Sequence, residues 1–79
     1  MELNDIYGKL SEVLQDVLGR SDINVTEGMT ARDVDGWDSL NHMRIVLSVE
    51  KEFGVRFSTT EIPELQSIDE FIDLIQTKI

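Results

Sequence analysis

DSLNHMRIVLSVEKEFG, residues 38–54, reads as a complete helix with its own start and stop signals. Asp38 is a good N-cap, because its carboxylate can accept from the free backbone N–H groups of the first turn. Trp37 then falls just before the cap, able to cover the helix start by packing near His42. Gly54 follows the last apolar residue. At about 100° per residue, His42, Ile45, Val46, Val49 and Phe53 cluster on one side, sufficient to face a core. Leu40, Met43 and Leu47 form another apolar line, roughly 130° around the cylinder. A helix in a small bundle needs one buried stripe, so the surplus line means either burial on two sides or an exposed contact face. That line begins one residue after Ser39, and flexible Met43 suits a contact face that adapts to different partners.

Toward the N-terminus, Leu3, Ile6, Leu10, Val13, Leu14 and Val17 recur at helical steps, predicting a helix from about Glu2 to Leu18. Gly19 and Arg20 suit its C-terminal end. Residues 19–37 form a long connection rich in Gly, Asp, Asn, Ser and Thr, with Ile23, Val25, Met29 and Val34 available to pin it to the core. Such a loop in so small a chain is often functional. Toward the C-terminus, STTEIPEL supports only a short helix or turn around Pro63. SIDE, residues 67–70, reads as a capping box opening a last helix, with Ile68, Phe71, Ile72, Ile75 and Ile79 at helical spacing. VRF, residues 55–57, could be extended but alone builds no sheet. The expected fold is all-α: one domain over residues 1–79, a small bundle of three longer helices plus one short helix, with the long loop between the first two.

Seventy-nine residues bury only about 60% of the surface the unfolded chain exposes, so the stability margin is thin. Sixteen acidic against seven basic residues give a net charge of −9, which opposes binding to nucleic acid or anionic lipid and favours partners with basic patches. The acid is uneven. Residues 1–38 hold nine acids and three bases, whereas residues 39–53 hold two of each. No cysteine is present, so any thiol chemistry has to be imported. The N-terminus has acids where a secretory signal needs bases, and no apolar run reaches membrane-spanning length. A cytoplasmic monomer is expected.

Ser39 itself reads most simply as part of the helix cap. Its alternative is modification, since a phosphate ester there sits where the free N–H groups and the helix dipole favour an anion. Hydrolysis would need a base and an orienting acid. His42, the single histidine, is three residues on, but its angle places it with the core stripe at the edge of a cavity, and no G-x-S-x-G turn accompanies the serine. No catalytic residue is therefore assigned. DVDG lacks the spacing of a calcium loop, and no metal ligand is assigned.

With these residues laid out, the chain resembles an acyl carrier protein along essentially its whole length. The resemblance rests on DSL at 38–40 opening a helix midway, on the ending EKEFGVRF at 50–57, on TTEIPE at 59–64, and on the tail STTEIPELQSIDEFIDLI at 58–75. It implies an acyl-carrier-like bundle whose Ser39 carries 4′-phosphopantetheine, attached from coenzyme A by a phosphopantetheinyl transferase, with Asp38 and Leu40 beside it. Acyl groups then ride as thioesters on the arm, and the protein is a carrier, not an enzyme. It further implies that Leu40, Met43, Arg44 and Leu47 meet partner enzymes: acyl-transferring, condensing or ligase enzymes with basic docking surfaces, in fatty acid, polyketide or specialised acyl pathways. Ile45, Val46, Val49, Phe53, Ile62, Leu65 and Phe71 would line the core or an acyl cavity. Asn41, His42, Arg44 and Lys51 depart from the acidic second helix of carriers in bacterial fatty acid synthesis, and GWDSL looks more like discrete carriers of specialised pathways. Two other readings stand beside this one: an aminoacyl or peptidyl carrier, against which the lack of a GGHS-type context argues, and an unmodified helical adaptor.

Overall fold

In the computed structural model, which describes residues 2–79, helix α1 is Leu3–Leu18, α2 is Ser39–Phe53 and α3 is Ile68–Lys78. The boundaries follow from local chemistry. Gly19 and Gly54 close α1 and α2 with φ of 66° each, a left-handed conformation that costs glycine nothing. At the end of α2, the N–H groups of Gly54 and Val55 both return to the Glu50 carbonyl. Ser67 caps α3 by accepting from the Glu70 N–H at 3.2 Å. Glu70 differs from the expected capping box: its carboxylate accepts from the Ser67 hydroxyl at 3.1 Å, closing the same loop through the side chain.

The expected short fourth helix is a single 3-10 turn, Ile62–Glu64. Pro63 donates no N–H, and Leu65, with φ −82° and ψ 68°, leaves helical geometry directly after it. The bundle therefore has three α-helices among the described residues. A second 3-10 turn, Ala31–Asp33, lies within the long loop, fixed by Thr30 and Asp33 as reciprocal caps. No strand forms among the described residues. Val55 and Phe57 are buried as coil, and one isolated bridge joins Thr30 to Ser67.

α1 packs on α2. The core combines Ile6, Leu10, Val13 and Leu14 of α1 with Ile45, Val46, Val49 and Phe53 of α2. Ile68, Phe71, Ile72 and Ile75 of α3 complete it, together with Leu65. The loop is fastened to α1 by polar side chains on that helix. Ser11 donates to the Tyr7 carbonyl and accepts from the Val25 N–H at 3.0 Å, and Gln15 donates to the Ile23 carbonyl at 2.7 Å. These bonds seat Ile23 and Val25 in the core, with Val34 buried and Met29 half-buried further along. The long connection is thus a structured wall that carries the chain to Ser39.

At the far end of α3, Lys78 pairs with Glu61 at 3.1 Å and lies 5.8 Å from the centroid of the Phe57 ring. The Ser58 N–H, donating at 2.8 Å, and then Lys78 hold the Glu61 carboxyl below its usual range. A depressed carboxyl contributes stability above its unfolded value and loses it as pH falls through the folded one. Glu61→Gln is therefore expected to melt slightly below the native chain at neutral pH. The gap closes as pH falls through the acidic carboxylate range, which paired thermal melts at several pH values would show.

Candidate functional site

Short-range bonds hold the segment before α2 in place. The Trp37 N–H donates to the Val34 carbonyl at 3.2 Å, and the Asp38 N–H to the Gly36 carbonyl at 3.0 Å. Asn41 reaches back to the Gly36 carbonyl at 2.7 Å while its own N–H donates to the Asp38 carboxylate at 2.9 Å. Ser39 follows as the first residue of α2, exposed, and its hydroxyl forms no hydrogen bond among the described residues. The backbone N–H groups of Ser39 and Leu40 precede the first intrahelical donor and are free to face an anion.

Behind the serine, Trp37 is buried against the Phe71 ring, with centroids 6.0 Å apart. It also stacks on His42 at 6.2 Å. Indole Nε1 can only donate, so His42 Nδ1, 3.1 Å away, accepts. The proton is then on Nε2, which donates to the Ile62 carbonyl at 3.0 Å. Both ring nitrogens are committed to this tie between the loop, α2 and the 3-10 turn Ile62–Glu64. Neither is turned to Ser39 as a base. His42→Ala strands the Trp37 indole N–H and the Ile62 carbonyl and is expected to cost about 1–3 kcal/mol, read as a lower urea midpoint by Trp37 fluorescence.

Between these elements an open groove of about 360 Å³ begins at Ser39. Trp37, Asp38, His42, Pro63, Leu65, Ala31 and Gln66 line it together with Ser39. Around the outside of α2, Leu40, Met43 and Leu47 are 66%, 43% and 60% exposed, so the surplus stripe is not buried on a second side. Arg44 is exposed beside it. Ile45, Val46, Val49, Phe53, Leu65 and Phe71 are buried, whereas Ile62 is only half-buried because it sits in the surface turn that accepts from His42. Among the described residues, no group of three or more His, Asp or Glu is placed to hold a metal ion, and no helix is long and apolar enough to cross a membrane.

Residues 8–75 match the family described as the phosphopantetheine attachment site. The chain is 30% identical over 70 residues to the acyl carrier protein of Solidesulfovibrio magneticus, covering 89% of this chain and 90% of that protein. The chain belongs to the acyl carrier protein family. It is also 27% identical over 75 residues to the acyl carrier protein of Thermotoga maritima, covering 95% of this chain and 93% of that one. Its fold is similar to the solution structure of the holo acyl carrier protein from Geobacter metallireducens, with a TM-score of 0.83 and 29% identity over 92% of this chain and 84% of that chain.

Membership makes this a carrier of acyl groups on 4′-phosphopantetheine, not an enzyme. The structure suits that group on its own terms. An exposed hydroxyl stands at a helix N-terminus with free N–H groups, and the groove beside it offers apolar walls for the arm's hydrocarbon and the polar Gln66 for its amides. Ala31, Pro63 and Gln66 carried no signal in the sequence as groove residues. They reach Ser39 only through tertiary ties, among them the Ala31 N–H donating to the Gln66 carbonyl at 2.9 Å. Trp37 was legible as the cover of the helix start, but its bond to His42 was not.

Proposed function

We propose that Ser39 is the residue that carries the phosphopantetheine arm, attached from coenzyme A by a phosphopantetheinyl transferase. The observation that carries this reading is the free, exposed hydroxyl of Ser39 at the first position of α2. The other serines are placed differently. Ser11, Ser58 and Ser67 are held in structural hydrogen bonds, Ser48 is half-buried within α2, and Ser21 lies in the loop away from any helix start. When bound, the group supplies the thiol that this cysteine-free chain lacks.

The chain's own residues then have distinct tasks. The N–H groups of Ser39 and Leu40 face the phosphodiester charge. Asp38 keeps its carboxylate on the Asn41 N–H, so the helix start stays ordered beside a second anion. Leu40, Met43, Arg44 and Leu47 form the face that meets acyl-transferring, condensing or ligase enzymes. Basic groups on those partners suit the exposed carboxylates of Asp35 and Asp38 at the serine end. Ile45, Val46, Val49, Phe53, Ile62, Leu65 and Phe71 form the core side that would line an acyl cavity. The carrier works in the cytoplasm as a monomer.

Incubation with coenzyme A, magnesium and a promiscuous phosphopantetheinyl transferase tests the assignment by intact mass. One added phosphopantetheine per chain is expected. No addition to a sample with a helical circular dichroism spectrum would move the unmodified adaptor to the front.

A further inference from the structure

The charges on α2 are sorted in a way the overall acidity hides. Its two acids both have partners within the chain: Glu50 accepts from the Phe57 N–H at 2.7 Å, and Glu52 pairs with Lys9 of α1 at 3.2 Å. The bases are left free. Arg44 and Lys51 form no ion pair or side-chain hydrogen bond among the described residues, nor does Arg56 in the turn beyond the helix, and all three are exposed. By helical angle, Arg44 and Lys51 lie on the same side as Leu40 and Leu47. Below Leu47 the face runs into a surface groove of about 620 Å³ bounded by Glu50, Lys51, Val55, Arg56 and Phe57.

Three of the chain's seven bases thus stand unpaired along one apolar face of a protein with sixteen acids. Sixteen acids leave ample partners for them within the chain, yet Glu50, the carboxylate that shares the groove with Lys51 and Arg56, is held by the Phe57 N–H. We propose that the outer face of α2 docks onto a protein partner whose contact surface is an apolar patch rimmed by carboxylates, which meet Arg44, Lys51 and Arg56. This rests on the carrier reading and adds the partner's chemistry. The footprint is bipolar: carboxylates of Asp35 and Asp38 at the serine end, cations along the shaft. Such a pattern fixes the direction in which the helix lies on its partner, because reversing it sets like charges together.

The test places a photo-crosslinking benzoylphenylalanine at Leu47 in the full chain, expressed in the cells it comes from, and sequences the partner peptide it captures. Each variant is first shown by circular dichroism to be folded. The expected peptide lies beside Asp and Glu residues; Arg44→Glu with Lys51→Glu lowers the yield about tenfold, and reversing those partner acids to Lys restores it. A peptide flanked by Lys and Arg, a yield unchanged or raised by the double reversal, or capture of a second copy of this chain would each overturn the proposal. The phosphopantetheine content of the same cellular sample separates the two readings: a loaded chain with no crosslink removes this docking face alone, and an unloaded chain removes the carrier assignment.

Discussion

Ser39→Ala is expected to take up no phosphopantetheine and to melt within a degree or two of the native chain. The first half follows from the placement of the six serines, since only Ser39 presents a free hydroxyl at a helix start. The second follows from what the substitution leaves in place. The Ser39 hydroxyl makes no hydrogen bond among the described residues, its side chain is exposed, and the Asp38 cap on Asn41 is untouched. Alanine is also the better helix former, which offsets any small loss at the first position. Intact mass after exhaustive loading, with a thermal melt of the same sample, measures both. Loading of the variant would mean that another serine serves. A collapsed melt would mean that Ser39 has a structural role not apparent in its contacts.

Phe71→Ala is expected to have the largest effect on stability. Phe71 is fully buried, and the rings of Trp37, His42 and Phe57 surround it with centroids 6.0, 6.4 and 6.2 Å away. Truncating such a residue costs roughly 3–5 kcal/mol, whereas a chain of this length holds roughly 4–12 kcal/mol in all. Much of the fold's margin is lost, and with it the wall against which Trp37 and His42 are held behind Ser39. Urea titration followed by Trp37 fluorescence should show the midpoint falling steeply. Phe71→Leu, which keeps most of the volume, should fall much less. Equal losses for both would point to the aromatic contacts rather than to the cavity.

How much of this was legible in the sequence depended on how local the cause was. The three helices could be read because their ends are set within a few residues: glycine at 19 and 54, Asp38 on Asn41, Ser67 on Glu70. The surplus stripe was likewise readable from helical angle alone, and the structure exposes it. The turn at Ala31–Asp33 was not. Its Thr30 and Asp33 caps are local, but the turn is held by backbone bonds to residues more than thirty positions away, the Ala31 N–H on Gln66 and the Ile68 N–H on the Met29 carbonyl. The short helix expected around Pro63 contracted to one turn for the opposite reason. No local signal there was strong enough to carry a helix past Leu65. His42 was placed by its angle at the core edge, where it lies, yet the tie it makes depends on Ile62, twenty residues on.

The most direct test of the account is tandem mass spectrometry of the loaded chain after proteolysis, locating the added group on a single side chain. The account predicts that the phosphopantetheine is found on the peptide containing Asp38, Ser39 and Leu40, with fragment ions placing it on Ser39. Its location on Ser21, Ser48 or any other residue would contradict the assignment of the helix start as the attachment site, whatever the intact mass had shown.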